Sequence, residues 1–433
     1  MNESIVGLLG IFVLVVMFFT RMPVAYVMTL VGFAGFSLLR GPEAGLKLLS
    51  RDFYDIYSSY GLTIIPLFIL MGQIAFNAGI SRRLYDSAYK LVGSYRGGLA
   101  TATVMACCAF GAVCGSSPAT AATMATVGLP EMRRYGYGDE LSAGTVASGG
   151  GLGTLMPPSV VMIIYGILTE QSIGALFVAG IIPAFFITAW FALAVVIYCW
   201  IKPEQGPAGE RFPWGERIRS LGETGETLVI FAMVMGGLFT GLFTPNEAGA
   251  VGSMSVLLVA LLRRQLTWAG FVKSLYETLR TSCMVLLLIA GAVVFGHFLA
   301  VTRIPFDVAN WVAELNLPDW GVTSLIILVY LLGGCIIDAL ALIMLTIPIF
   351  YPIIINLGYD PIWFGVIIVL VTQMGVITPP VGINVYVVNG IAQDIPLEKI
   401  FNGCMPFLLA LILGTACIVA FPAIATWLPE LMY

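Results

Sequence analysis

Several residues that could bind small ions lie inside long apolar runs of this sequence. They are the pairs Pro157-Pro158 and Pro379-Pro380, the polar turn Gly115-Ser116-Ser117-Pro118, and the acid Asp338. Proline lacks a backbone N–H and interrupts a helix, so each pair frees backbone N–H and C=O groups. Freed carbonyl oxygens suit Na⁺, and the N-terminus of a half-helix carries partial positive charge that suits a carboxylate. An acid inside an apolar run also indicates a functional site.

The composition indicates which elements hold these residues. The chain has 433 residues, of which 59% are hydrophobic and 10% charged, and its mean hydropathy is +0.98. Soluble proteins carry about 25% charged residues, and a soluble fold cannot keep so much apolar surface away from water. The sequence therefore predicts an all-α polytopic membrane protein. At about 20 residues per spanning helix, its length allows ten or more segments.

Several functional classes are excluded by what the sequence lacks. The formal charge is −4 without any basic tract, so no nucleic-acid partner is expected. The only histidine is His297, which excludes a His-rich metal centre. No Gly-Lys dipeptide occurs, which excludes a Walker loop and ATP hydrolysis by this chain. The eight cysteines form no CxxC pair and are interpreted as small buried residues.

The charged residues separate the apolar stretches into twelve runs and set their orientation. The runs are 4–20, 22–39, 61–79, 97–132, 139–168, 172–201, 226–243, 246–262, 281–301, 321–355, 362–391 and 402–428. The run over 97–132 has basic residues near both ends, so the positive-inside rule predicts a cytoplasm-based hairpin. With a second hairpin over 321–355, all but four of the 20 Lys and Arg residues lie in the cytoplasm, and both termini lie outside it. The exceptions are Arg40, Lys47, Arg51 and Arg303.

The two halves of the chain then repeat one order of elements in opposite orientation. Each half has three spans, an amphipathic connector, a hairpin, a span broken at its Pro-Pro pair, and a final span. Inverted repeats with paired broken helices are the architecture of secondary transporters. Unpaired backbone groups are costly in hydrocarbon, and they are tolerated where they coordinate an ion or line a wet cavity. The sequence thus predicts a transporter with two re-entrant hairpins and two broken helices.

Four motifs carry a resemblance to a known family. In chain order they are Gly115-Ser116-Ser117-Pro118-Ala119-Thr120, Met156-Pro157-Pro158-Ser159, Gly334-Cys335-Ile336-Ile337-Asp338 and Ile377-Thr378-Pro379-Pro380-Val381-Gly382. Over essentially its whole length, the chain resembles the DctM-like large membrane subunit of tripartite ATP-independent periplasmic (TRAP) transporters. The resemblance implies an elevator-type fold of the ion-transporter superfamily. It also implies a Na⁺-coupled importer of organic acids such as four-carbon dicarboxylates or sialic acids.

The same resemblance implies partners and a location. The expected partners are a small TRAP membrane subunit (Q type), a periplasmic substrate-binding protein (P type), a carboxylate substrate and the lipid bilayer. The chain has no additional four-helix block, so it resembles an unfused large subunit. The expected location is the bacterial inner membrane, with many spans and with both termini in the periplasm.

The resemblance also implies which residues of this chain bind Na⁺ and substrate. One Na⁺ site would combine Ser116, Ser117, Gly153 and Met156. The other would combine Cys335, Asp338, Gly375 and Thr378. Substrate would lie between them, near Thr154, Ser159 and Asn384. Because a thiol is a poor Na⁺ ligand, Cys335 could serve only through its carbonyl oxygen.

The resemblance also divides the chain into a mobile transport domain and a scaffold. The transport domain would comprise the first hairpin and broken helix, 97–171, and the second hairpin and broken helix, 321–400. The scaffold would comprise the helices of 1–79, the connector 80–96, the helix and central cytoplasmic loop of 172–225, the helices of 226–302, the connector 303–320, and the last helix, 401–433.

Simpler interpretations of these residues stay open. Ser116 and Ser117 could be small residues that let helices approach closely, and the Pro-Pro pairs could be structural kinks. Asp338 could merely cap the following half-helix. His297 is interpreted as a packed, hydrogen-bonded side chain rather than a proton carrier.

Two other functions are alternatives to the importer. One is a self-sufficient Na⁺-coupled carboxylate transporter of the same superfamily, which would need no partner. The other is an intramembrane enzyme, which would need a catalytic set such as Ser–His or paired acids. The lone His297 is remote in sequence from Ser116, and Asp338 has no second acid in its hairpin. No enzymatic activity is therefore expected.

Overall fold

The protein is built from α-helices. The computed structural model describes residues 3–18, 22–314 and 318–432. Helix accounts for 84% of it, and in these ranges the only β-type pairing is an isolated bridge between Arg96 and Ala208. Both terminal residues and part of the predicted connector 303–320 lie outside the described residues.

The helices of the first half run from Glu3 to Ile201. They are α1 Glu3–Phe18, α2 Val24–Arg40, α3 Pro42–Ser58, α4 Ile64–Asn77, α5 Ile80–Val92, α6 Gly98–Cys114, α7 Ser117–Arg134, α8 Asp139–Gly150, α9 Leu152–Leu155, α10 Val160–Thr169 and α11 Ile173–Ile201. Here α5 is the connector, α6 and α7 form the first hairpin, and α8 to α10 form the first broken helix.

The helices of the second half run from Trp214 to Met432. They are α12 Trp214–Phe239, α13 Pro245–Leu262, α14 Trp268–Thr302, α15 Ile304–Glu314, α16 Asp319–Gly334, α17 Ala339–Asn356, α18 Pro361–Gly375, α19 Ile383–Ile391, α20 Leu397–Ala420 and α21 Ala423–Met432. Here α15 is the connector, α16 and α17 form the second hairpin, and α18 and α19 form the second broken helix.

Helix lengths fit a protein that crosses the membrane many times. Within the described ranges, seven helices are long and apolar enough to span it, or eight if the bent α12 is one span. Helices α1, α2, α6, α16 and α18 are apolar but shorter, with 10–17 residues. Hairpin arms and half-helices need less length than a full span. The predicted polytopic, all-helical fold is confirmed.

The two halves pack against each other in matching pairs. Helix α2 packs on α14 as its counterpart α13 packs on α4. The first broken helix contacts the second hairpin through α10 and α17, and the second broken helix contacts the first hairpin through α19 and α7. Likewise, α8 packs on α20 as α18 packs on α11. Such exchanged contacts are what two copies of one unit produce when they interlock as an inverted repeat.

The interruptions lie where the polar and Pro-Pro motifs predict them. The first hairpin turns at Gly115 and Ser116, and the second over 335–338. The first broken helix is interrupted over 156–159 and the second over 376–382. In both hairpins the chain reverses inside an apolar region, so the tips bring polar backbone into the protein interior.

Several helices extend beyond the apolar runs. Helix α3 occupies a charged stretch for which the sequence predicted no element, and α14 begins at Trp268 rather than near residue 281. Helix α12 begins at Trp214, inside the predicted central loop, and the last run is split at Phe421 into α20 and α21. Charged residues end an apolar run without ending a helix, because Lys, Arg and Glu are good helix formers.

Candidate functional site

A cavity of about 200 Å³ lies where the two hairpin tips meet. Ser116 and Ser117 line it from the first tip, and Asp338 lines it from the second. The broken helices contribute Thr154 and Gln373. Helices α4 and α14 close the remaining side. The motifs that lie far apart in the sequence therefore converge on one cavity.

The first tip is locked onto the first broken helix by backbone contacts. Gly115 has a positive φ of 64°, and its carbonyl accepts a hydrogen bond from the Val160 N–H at 3.5 Å. A Cβ on Gly115 would lie 2.4 Å from the Pro158 carbonyl oxygen. Only glycine fits here, because both the positive φ and the close backbone exclude a side chain.

The second tip repeats this arrangement. The Cys335 carbonyl accepts a hydrogen bond from the Val381 N–H at 3.2 Å. A Cβ on Gly375 would lie 2.2 Å from the carbonyl carbon of Gly334, so this hairpin and broken helix also touch through backbone. In each half, one tip carbonyl thus accepts from a backbone N–H one or two residues after the Pro-Pro pair.

The first predicted Na⁺ site is a compact group of backbone and hydroxyl oxygens. A Cβ on Gly153 would lie 2.9 Å from the Ser116 carbonyl oxygen and 2.3 Å from the Thr120 hydroxyl. The Thr120 hydroxyl is fully buried and makes no hydrogen bond of normal geometry among the described residues, although the Cys114 thiol lies beside it. Oxygens left available around a glycine suit a hard cation. Met156 is buried, and its N–H donates a hydrogen bond to the Leu152 carbonyl.

The residues of the second predicted Na⁺ site have more of their polar groups occupied. Asp338 caps α17 by accepting from the Leu340 N–H at 3.0 Å, while its side chain also lines the cavity. The Thr378 hydroxyl donates to the Met374 carbonyl at 2.6 Å, and the Cys335 thiol donates to the Leu331 carbonyl at 3.1 Å. Asp338 therefore caps α17, as the simpler interpretation holds. Its position in the cavity is also compatible with a role in ion binding.

The three predicted substrate residues have different surroundings. Thr154 lines the cavity, and its hydroxyl donates to the Gly151 carbonyl at 3.0 Å. Ser159 is fully buried and caps α10 by accepting from the Met162 N–H at 3.4 Å. Asn384 is fully buried, and its amide donates to the Ser117 hydroxyl at 2.8 Å and to the Ala147 carbonyl at 2.9 Å. Of the three, Thr154 is the one that faces the cavity.

Two residues at the site carry little sequence signal. Thr120 stands in a run rich in small residues, and only its place one turn after Ser116 hints at a role. Gln373 stands two residues before Gly375 in an apolar stretch. An amide in an apolar stretch can be recognised in the sequence. Only the packed structure shows that this amide has no hydrogen-bond partner among the described residues.

The cavity contains an acid and, in the part of the chain that the structure describes, no basic side chain. Among the described residues that line it, none is Lys, Arg or His, and the one acidic residue is Asp338. The lone histidine lies elsewhere: His297 on α14 contacts the Asp52 carboxylate on α3, with 2.8 Å between Nδ1 and Oδ2. This agrees with its interpretation as a hydrogen-bonded residue.

The sequence matches one family model over residues 11–424, that described as "Tripartite ATP-independent periplasmic transporter, DctM component". The chain belongs to this family. Relatives include the C4-dicarboxylate TRAP transporter large permease protein DctM of Pseudomonas aeruginosa, 36% identical over 91% of each chain. The sialic acid TRAP transporter large permease protein SiaM of Vibrio cholerae is 33% identical over 100% of this chain and 99% of the relative. The predicted family is confirmed.

The fold of this DctM-family chain is also similar to that of a solved transporter structure. The YdaH transporter of Alcanivorax borkumensis superposes with a TM-score of 0.61, covering 90% of this chain and 89% of that one. The sequence identity is 15%, so the likeness concerns the fold alone. It agrees with the predicted transporter architecture.

Proposed function

We propose that this protein is the large permease subunit of a Na⁺-coupled, ATP-independent importer of organic acids that depends on a substrate-binding protein. The proposed substrate class follows the names of two of its relatives, a C4-dicarboxylate and a sialic acid permease. The observation that carries the proposal is the cavity between the two hairpin tips, lined by Asp338 and, among the described residues, by no cationic side chain. A buried carboxylate needs compensating positive charge, which bound Na⁺ would supply.

The donor set at the first tip fits Na⁺. The Ser116 carbonyl, which accepts from the Thr120 N–H at 3.0 Å, and the Thr120 hydroxyl both lie beside Gly153, which has no side chain to separate them. At the second tip, a carbonyl such as that of Cys335 can accept a second interaction besides its hydrogen bond with Val381. These oxygens, with Asp338, would hold the ions close to the cavity, and the ions would balance the charge of the solute.

The proposed mechanism is an elevator. The hairpins and broken helices of 97–171 and 321–400 would move as one transport domain against the remaining helices. The contacts of α7 with α19 and of α10 with α17 join the two halves, and they support the proposal of a single transport domain. Each Na⁺ that moves down a membrane potential supplies about 2.3 kcal/mol per 100 mV, so two ions could drive substantial accumulation.

The assembly follows from family membership. The proposed partners are a small membrane subunit and a periplasmic substrate-binding protein, and the proposed location is the bacterial inner membrane with both termini in the periplasm. The chain would carry out transport and no enzymatic reaction.

Uptake by proteoliposomes tests this function. The large and small membrane subunits are reconstituted, a Na⁺ gradient is imposed, and labelled organic acids are supplied with or without the binding protein. The expected result is uptake that needs both Na⁺ and the binding protein. Unchanged uptake when choline replaces Na⁺ would contradict the ion coupling. Uptake by this chain alone would instead favour the self-sufficient carboxylate transporter.

A further inference from the structure

Gln373 carries a buried amide for which the described residues provide no partner. It lies in the last turn of α18 and is 3% exposed. Neither its Nε2 nor its Oε1 atom has a hydrogen-bond partner among the described residues. It lines the cavity between the hairpin tips. Because an unpaired buried amide is destabilising, such a group is usually completed by a ligand or by water.

Only the second repeat carries an amide at this position, and the first repeat carries a glycine. Gln373 stands two residues before Gly375, and its counterpart in the first half, two residues before Gly153, is Gly151. A Cβ on Gly151 would lie 3.0 Å from the Gln373 Oε1 atom. The glycine therefore leaves space that the amide occupies. The two repeats therefore differ in chemistry at this position, and the amide of Gln373 has no symmetric copy in the first repeat.

A single water would not complete the amide. Gln373 also lines a second void of about 10 Å³, beside Ser148 and Gly151. That volume accommodates one water at most. A glutamine amide offers two donor hydrogens and two acceptor positions, which is more than one water can fill, and Gln373 also lines the larger cavity of about 200 Å³.

The charge of the cavity indicates what this amide would bind. Its described lining offers a carboxylate no cationic side chain, so recognition must come from neutral donors together with bound ions. We propose that Gln373 donates an N–H hydrogen bond to the carboxylate of the transported solute. This inference rests on the proposed function and adds to it a residue that fixes the solute directly.

The variant Gln373→Met tests the proposal, since it keeps the length of the side chain and removes both hydrogen-bonding atoms. The purified complex of large and small membrane subunits is titrated with succinate, malate, pyruvate and N-acetylneuraminate in saturating Na⁺. Binding is measured as a rise in melting temperature. The half-saturating concentration of any carboxylate that binds should increase at least tenfold in Gln373→Met. The Na⁺ concentration at half-saturation should not rise, and the melting temperature without solute should not fall.

The matched control is Thr372→Val on the same helix. The Thr372 hydroxyl is buried and bonds within α18 to the Val369 carbonyl at 2.9 Å, so this variant should bind carboxylate like the wild type. Wild-type affinity in Gln373→Met would overturn the proposal. Parallel losses of carboxylate binding, Na⁺ binding and melting temperature would also overturn it, because they indicate a structural role. If no carboxylate binds even the wild-type complex, the carboxylate assignment of the proposed function fails as well.

Discussion

The amide of Asn384 is hydrogen-bonded to the hydroxyl of Ser117, which joins the second broken helix to the tip of the first hairpin. The Nδ2 to Oγ distance is 2.8 Å, and the same Nδ2 lies 2.9 Å from the Ala147 carbonyl oxygen on α8. One fully buried side chain therefore connects three elements from both repeats. Since both amide hydrogens are used within the protein, the immediate effect of Asn384 is to fix the position of the Ser117 tip.

Replacement of Asn384 by alanine should loosen this tip. The variant leaves the Ser117 hydroxyl and the Ala147 carbonyl without their donor in a buried place, which costs about 2 kcal/mol. We expect a lower melting temperature of the purified chain and reduced uptake. The control is Asn389→Ala on the same helix, whose amide donates only locally, to the Ile395 carbonyl at 2.8 Å. Equal losses of melting temperature and uptake in the two variants would show that the contact between the halves contributes no more than a local hydrogen bond.

A second prediction concerns the contact between α8 and α20. A Cβ on Gly403 would lie 1.9 Å from the Glu140 carbonyl oxygen, and one on Gly144 would lie 2.1 Å from the Gly403 carbonyl carbon. Backbone cannot move aside as a flexible side chain can, so Gly403→Ala must separate the helices. Overpacking of this kind costs about 1–3 kcal/mol.

The measurement is thermal unfolding of the purified variants. Gly390→Ala on α19 is the matched control, because a Cβ there would meet nothing within 4 Å. Alanine is also the better helix former, by about 1 kcal/mol, so the control should melt at or above the wild-type temperature. A Gly403→Ala variant that melts like the control would mean that α8 and α20 can separate freely.

The sequence revealed those parts of the site that depend on local signals. Pro157-Pro158 and Pro379-Pro380 mark breaks because proline interrupts any helix, and Gly115 and Ser116 mark a turn between basic flanks. These signals act within a few residues, so they survive without knowledge of the packing. The interruptions and hairpins accordingly lie where they were predicted.

Other parts depend on tertiary packing or on helices that are not apolar. Thr120 and Gln373 gain significance only because packing leaves their polar atoms without ordinary partners, which no spacing rule reports. Helix α3 and the start of α14 were missed because the neighbouring apolar runs are bounded by Arg40 and Arg280, although helical residues lie beyond these charges. A search for apolar runs detects helices that face lipid, and it overlooks helices with a polar face.

The third prediction is a dependence of stability on pH at the loop after α19. The Arg133 guanidinium lies 2.5 Å from the Asp394 carboxylate and, through this hydrogen bond, lowers the pKa of that carboxyl below its ordinary value. The unfolded chain titrates near the ordinary value of about 3.9. The stabilisation is therefore fully present above the unfolded-state pKa, and it is lost as the pH falls through the lower folded-state pKa.

Asp394→Asn should abolish this part of the pH dependence. At neutral pH the wild type should melt slightly above the variant, and the two should converge as the pH falls through the lowered folded-state pKa of Asp394. The difference should be small and should shrink in high salt, because both side chains are partly exposed. Melting curves of both proteins across pH, at low and high salt, make the comparison. A gap that persists in acid would assign the effect to another interaction.

The fourth prediction is that Thr120 serves Na⁺ binding rather than stability. Its buried hydroxyl has no hydrogen bond of normal geometry among the described residues, and it lies beside Gly153 and the Ser116 carbonyl. Thr120→Val removes the oxygen and keeps the shape, so the melting temperature should hold. The Na⁺ concentration for half-maximal uptake should rise at least tenfold. Thr123→Val is the control, since its hydroxyl bonds within α7 to the Ala119 carbonyl at 2.7 Å. An unchanged Na⁺ dependence in Thr120→Val would exclude this oxygen as an ion ligand.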